Sequence, residues 1–188
     1  MNRLGIYVQV PFCQTKCTYC NFHTGVVSTG RFAPYVEAVC GEIPGYRELY
    51  RAAEVKLPEG FEKAVVDTVY IGGGTPSLLE AELLGRMMGA IRETFANELS
   101  EVTLEADPET VTAEKAAAWV AAGINRVSFG VQSFSDKELA AAGRVHRRAD
   151  IYRAAGILRD AEIRNISFDL IAGLPWQTAE SWKESLEE

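Results

Sequence analysis

Three cysteines lie in one short stretch, Cys13-Gln14-Thr15-Lys16-Cys17-Thr18-Tyr19-Cys20. Thiolate-rich sites select zinc, copper(I) or iron–sulfur clusters, so this spacing points to a bound metal. A structural zinc closes four tetrahedral positions, and the loop alone supplies three donors. Iron–sulfur clusters are commonly held by four cysteines as well. Held by three, a four-iron cluster keeps one iron free of protein ligands and open to a small molecule. The residues leave zinc open too, with His23 or Cys40 as its fourth ligand. A disulfide framework is disfavoured, because the four cysteines occur in a chain of 188 residues with no signal-peptide pattern.

Such a loop must be held by rigid elements. Residues 4–10 alternate large side chains as a strand leading into the cysteines. Residues 24–30 read as loop and 31–42 as a helix, with Phe32, Tyr35, Val36 and Val39 on one face. Pro44 and Gly45 interrupt it, and residues 51–60 read as a polar surface connection. Residues 65–71 predict a strand that ends in Gly72-Gly73-Gly74-Thr75-Pro76. Ser77 and Glu80 have capping-box spacing for a helix over 78–95, with Leu83, Leu84, Met87, Met88 and Ile91 inward. Residues 101–105 predict a strand, Ala113–Ala122 a helix ended by Gly123, and 125–129 a strand. Ser135 and Glu138 repeat the capping-box spacing for a helix stopping at Gly143. Residues 149–160 read as helix, 165–171 as a strand closed by Gly173-Leu174-Pro175, and Thr178 opens a last helix. The alternation predicts an α/β fold with five parallel strands in an open sheet or incomplete barrel, since a full eightfold barrel needs about 250 residues.

In folds of this kind the working site lies at the carboxyl ends of the strands. The first strand leads into the cysteines and the second into the glycines. Glu105 closes the third, Gln132 follows the fourth, and Asp169 sits inside the fifth. All are expected at one rim. Asp169 is expected to be buried, which is costly unless the carboxylate is paired or hydrogen-bonded. Singly, Glu105 reads as a cap or salt-bridge residue, Gln132 as a loop hydrogen-bonder and Asp169 as a satisfied core carboxylate; together with the cysteines they favour a site for a polar, charged cofactor. The glycines allow close approach of backbone to a ligand. Their spacing fits neither the dinucleotide fingerprint nor the P-loop, and both are rejected.

The net charge of −7 argues against a general nucleic-acid binder. The basic residues Arg144, His146, Arg147 and Arg148 read as a charged helix end or loop. No apolar run is long enough to span a bilayer, so no transmembrane segment and a cytoplasmic location are expected. No fixed-period repeat or low-complexity tract is present.

With these residues in view, the chain resembles one family. Ile6-Tyr7-Val8-Gln9-Val10-Pro11-Phe12-Cys13, Gly72-Gly73-Gly74-Thr75-Pro76-Ser77, Glu105-Ala106-Asp107-Pro108-Glu109, Asn125-Arg126-Val127-Ser128-Phe129-Gly130-Val131-Gln132-Ser133-Phe134 and Asp169-Leu170-Ile171-Ala172-Gly173-Leu174-Pro175 are similar, in order, to the motifs of the HemN/HemW branch of the radical S-adenosylmethionine (SAM) superfamily. The aromatic Tyr19 before the last cysteine fits the pattern. The resemblance implies a partial (β/α) barrel of the radical SAM type, truncated before the last strand. It makes residues 1–188 a radical SAM core, with the carboxyl-terminal HemN/HemW-type domain absent. It also implies a [4Fe–4S] cluster on Cys13, Cys17 and Cys20, with SAM chelated to the open iron and cleaved by a cluster electron to a 5′-deoxyadenosyl radical. By motif position, SAM contacts are implied at Tyr7, Tyr19, Gly73, Gly74, Thr75, Glu105, Gln132, Arg144 and Asp169.

Two activities follow from the resemblance. One is a HemW-like heme chaperone that delivers heme to an acceptor protein. The other is an oxygen-independent coproporphyrinogen III oxidase, which acts on a porphyrinogen with a low-potential electron donor. Twelve residues precede Cys13 here, whereas the oxidase type has a longer amino-terminal extension. The oxidase type also has a further cysteine where this chain has Phe22. Both features lean toward the chaperone, although Cys20-Asn21-Phe22 departs from its usual Cys-Asp-Phe. Candidate heme ligands are His23, His146 and Cys40.

Overall fold

The structure is a computed structural model that describes residues 2–188. In chain order the strands are β1 (Arg3–Val10), β2 (Phe12–Cys13), β3 (Gly25–Val26), β4 (Val65–Gly73), β5 (Asn97–Ala106), β6 (Arg126–Gln132) and β7 (Asn165–Leu170). The helices are α1 (Phe32–Glu42), α2 (Tyr46–Ala52), α3 (Ala81–Thr94), α4 (Ala113–Ala122), α5 (Asp136–Ala141), α6 (Arg148–Asp160) and α7 (Ala179–Glu187). The five long strands run parallel in the order β1-β4-β5-β6-β7, as the alternation of strands and helices predicts. Among the described residues the sheet stays open, with β1 and β7 as its edges.

One sheet face is apolar because it meets the helices. Val8, Val69, Ile71, Val102, Leu104, Val127 and Phe129 form one cluster with Leu84, Met87, Met88 and Ile91 of α3, Trp119 of α4, and Ile151 and Leu158 of α6. Burying each such large side chain contributes roughly 1.5–3 kcal/mol. The other face is polar. Tyr7, Tyr70, Thr103 and Arg126 stand in register across four strands, as do Glu105, Ser128 and Ser167 one layer above. Arg126 donates to Thr103 Oγ1 at 3.1 Å and to Ser167 Oγ at 3.0 Å. Parallel strands covered on both faces read as continuous apolar runs, whereas this sheet alternates, so only one of its faces is built for helices.

Several elements differ from the sequence expectation. Residues 46–52 form α2, because Tyr46 packs on Phe61 and Phe95 with ring centroids 5.5 and 5.2 Å away. The capping box at Ser77 and Glu80 does not form. Ser77 is fully buried and accepts from the Asp107 N–H at 3.3 Å and the Thr110 hydroxyl at 2.7 Å, and α3 starts at Ala81. The box at Ser135 and Glu138 is absent as well. The buried Glu138 carboxylate accepts instead from Ser133 at 2.7 Å, Ser181 at 2.6 Å and Gln177 at 3.2 Å. Both acceptors are taken by tertiary partners, which override a local rule. Where no such partner competes, local rules hold: Thr178 Oγ1 accepts from the Ser181 N–H at 3.2 Å, and Gly123 ends α4 at φ +93°.

Candidate functional site

The cysteine loop begins where β1 ends. Phe12 is buried against Phe32 and Tyr35, with ring centroids 4.7 and 5.0 Å away, and so anchors the start of the loop. The two-residue strand β2 pairs with β3 on the far side of the loop and closes its base. Lys16 draws the loop together from within, donating from Nζ to the carbonyls of Phe22 at 3.0 Å and Thr24 at 3.3 Å. The Thr18 N–H donates to the Ala142 carbonyl at 3.1 Å and ties the loop to the end of α5.

The glycine turn after β4 lies beneath. Gly74 N–H donates to the Val10 carbonyl at 2.8 Å and Thr75 N–H to the Phe12 carbonyl at 2.6 Å. A Cβ at Gly74 would come within 2.9 Å of the Phe12 carbonyl carbon, so only glycine lets the turn approach the loop this closely. Gly73 has φ +116°, and its N–H donates to Glu105 at 2.7 Å. The other Glu105 oxygen accepts from Tyr70 Oη at 2.8 Å. Burial, reinforced by Glu105, raises the Tyr70 hydroxyl well above its ordinary value.

These pieces enclose a cavity of about 330 Å³. Its wall includes Cys13, Cys17, Cys20, Tyr19, Gly73, Gly74, Thr75, Glu105, Gln132, Arg144 and Asp169, so the strand ends do converge at one rim. Tyr7 does not line it; this tyrosine is 57% exposed on β1 and stacks on Tyr70 at 5.8 Å. Asp169 lines the cavity but is exposed, because β7 is an edge strand, which corrects the expectation of a buried carboxylate. Its oxygens lie 3.3 and 3.4 Å from Ser128 Oγ. Gln132 holds φ +67°, a conformation that non-glycine residues keep mainly where function or packing demands it.

Arg144 lies in the loop after α5, with its side chain 8% exposed. It pairs with Asp107, donates to the Gly130 carbonyl at 2.8 Å, and reaches Cys17 Sγ at 3.6 Å. Burial raises the Tyr19 hydroxyl, against the opposing pull of Arg144. His146 is fully buried: Nε2 donates to the Val131 carbonyl at 3.1 Å, and Nδ1 lies 3.4 Å from Arg144 and 3.5 Å from Glu109. That removes His146 from the candidate heme ligands. His23 is exposed, Cys40 is half-buried on α1, and neither lines the cavity.

The donor set suits a cluster with an exchangeable iron. Three half-buried free thiols share one wall with backbone that can approach a ligand closely, and the buried Arg144 Nε beside them has no protein acceptor. Among the described residues no group of three or more His, Cys, Asp and Glu side chains is gathered tightly enough to grip a single ion. When bound, such a cluster supplies an electron and a coordination position. The chain supplies the thiols, the polar rim and a fixed cation.

Asp107, Glu109 and Lys16 were not singled out by sequence reasoning. Glu105 and Asp107 are two residues apart at a strand end, and this spacing places both on one face of an extended chain.

Residues 7–188 match the family model described as the radical SAM superfamily. The chain is 38% identical over 187 residues to the heme chaperone HemW of Synechocystis sp., covering 96% of this chain and 42% of that protein. It is 35% identical over 182 residues to the heme chaperone HemW of Bacillus subtilis, covering 96% of this chain and 45% of that protein. The chain therefore spans less than half the length of these relatives. Among solved structures it is similar to coproporphyrinogen III oxidase (HemN) from Escherichia coli, with a TM-score of 0.82 at 28% identity, covering 99% of this chain and 41% of that one. A cluster of the [4Fe–4S] type and SAM are the cofactors this family implies. The motif order, the parallel sheet and these likenesses agree: the chain belongs to the radical SAM superfamily, in its HemN/HemW branch.

Proposed function

We propose that residues 1–188 form the radical SAM core of a HemW-type heme chaperone, which binds heme and passes it to an acceptor protein. The observation that carries this reading is at residue 22. Phe22 follows the third cysteine closely, lines the cavity and is 72% exposed, where the oxidase type has a further cysteine. An apolar side chain at the mouth favours holding a greasy macrocycle over ligating a second cofactor. The names of the HemW relatives support the same reading.

In this reading Cys13, Cys17 and Cys20 hold the cluster, and SAM lies against Tyr19, Gly73, Gly74, Thr75, Glu105, Gln132, Arg144 and Asp169. Tyr7 is a contact farther along the sheet face. His23 is the heme ligand we favour, because it is exposed beside Phe22. Burial raises the Cys40 thiol above its ordinary value, which disfavours its thiolate. Four free cysteines support a reducing compartment, and in this reading the protein works in the cytoplasm. A low-potential electron donor completes the partner set.

The second reading is the oxygen-independent oxidase, favoured by the likeness to HemN. Anaerobic reconstitution of the full-length protein with iron and sulfide, followed by hemin titration and incubation with coproporphyrinogen III, SAM and reductant, separates the two. Stoichiometric hemin binding without protoporphyrinogen supports the chaperone. Protoporphyrinogen formed together with 5′-deoxyadenosine, and lost on Cys17→Ala, transfers the protein to the oxidase.

A further inference from the structure

Behind the cysteine loop lies a charged network that a packed interior does not need. Asp107 pairs with Arg144 through one oxygen and accepts from Thr75 Oγ1 at 3.1 Å through the other. Arg144 is then fixed from the remaining sides by the Gly130 carbonyl at 2.8 Å and by His146 Nδ1 at 3.4 Å. His146 itself is held by Nε2, which donates to the Val131 carbonyl at 3.1 Å, so its Nδ1 stays against the guanidinium. These contacts leave one direction open, and there Nη1 meets Cys17 Sγ at 3.6 Å. The members of this arrangement come from the loops after β4, β5 and α5 and from β6 itself.

Buried ion pairs are weak evidence of stability, since desolvation offsets much of their attraction. Nor are all the polar atoms satisfied: Arg144 Nε and Glu109 Oε2 are buried without a hydrogen-bond partner. A network that keeps unmet donors and acceptors beside three thiols is better explained by what it does to the thiols' ligand.

We infer that Asp107 is a positioning residue: its carboxylate aims the Arg144 guanidinium at Cys17, and the pair together sets the electrostatic potential felt by a cofactor held on the cysteine loop. The inference rests on Cys13, Cys17 and Cys20 being the cluster ligands. Thr75, between the glycine turn and Asp107, makes the same carboxylate answer to both walls of the cavity. The pair leaves little net charge next to the sulfur, so removing either member unbalances it in a known direction.

The test uses the full-length protein, reconstituted anaerobically, with Asp107→Asn and Arg144→Met compared by EPR-monitored redox titration. Asp107→Asn leaves the cation uncompensated and is expected to shift the cluster midpoint upward. Arg144→Met removes the cation that reaches Cys17 and is expected to shift it downward. SAM binding by Asp107→Asn, read from the SAM-induced change in the EPR spectrum, is expected to weaken about tenfold, as for other supporting partners of metal-site residues. Asp107→Glu restores part of both effects. In the metal-free protein, NMR exchange of the Arg144 Nε proton is expected to accelerate in Asp107→Asn at temperatures where its melting curve shows the variant still folded. Shifts of the same sign in both variants, or none, overturn the inference. If no cluster forms in the wild type, or if Cys17→Ala retains one, the assignment of the cysteines falls first and the inference falls with it.

Discussion

Single side chains decide whether the thiols can share a ligand. Lys16 is the internal tie of the cysteine loop, and its three Nζ contacts span residues 22 to 24. Lys16→Met is expected to lower cluster occupancy about tenfold after reconstitution, read as iron and acid-labile sulfide per chain. Gly74 is the second control point. Gly74→Ala drives a Cβ into the Phe12 backbone, so the loop and the turn must part. The variant is expected to lose about 1–3 kcal/mol of stability in chemical denaturation and to retain little cluster. The cysteines were legible because their spacing is local and their chemistry is narrow. Lys16, Asp107 and His146 were not, because the roles of Asp107 and His146 depend on partners far along the chain and that of Lys16 on the folded path of its loop. Asp169 was misjudged for a similar reason: an apolar flanking sequence cannot reveal that a strand lies at an edge.

At the level of elements, the junction between the loop after α5 and α6 shows how local and tertiary forces divide the work. Asp150 accepts the Arg147 N–H at 2.9 Å and so organises the start of α6. That backbone hydrogen bond, aided by Arg153, holds the Asp150 carboxyl below its ordinary value. A depressed carboxylate stabilises the fold above the pKa of the unfolded chain and loses that contribution as pH falls through the folded one. Asp150→Ala is therefore expected to cost about 1 kcal/mol, or about 3 °C in melting temperature, at neutral pH, and nothing in acid below both pKa values. Thermal melts across pH check both limbs. Helix and strand positions followed apolar periodicity closely, as in Ala113–Ala122, because burial against a sheet enforces it. The two misplaced capping boxes and the unforeseen α2 share one cause. Their residues serve contacts between elements, and no window of sequence contains both partners.

At the scale of the chain, the described residues form an open, one-sided sheet. Its β7 edge carries Phe168, 40% exposed, beside Phe129 and Phe134 with ring centroids 6.1 and 6.2 Å away. Unpaired strand edges with apolar side chains recruit other chains. The 188-residue chain alone is expected to associate as concentration rises, and Phe168→Lys to reduce this association, as read by sedimentation velocity. One contact within the sheet's rim also bears on how the protein is made. Cys17 meets Arg144 across 127 residues of sequence, and Thr18 is tied to Ala142. During synthesis at roughly 5–20 residues per second, the cysteine stretch therefore leaves the ribosome on the order of ten seconds before its supporting wall exists. Throughout that interval the thiols are unshielded, open to oxidation and unable to hold a cluster in its final setting. If these thiols hold the cluster, its final setting is complete only once the chain has passed Arg144, which would make translation as well as the affinity of the cysteines a control on loading.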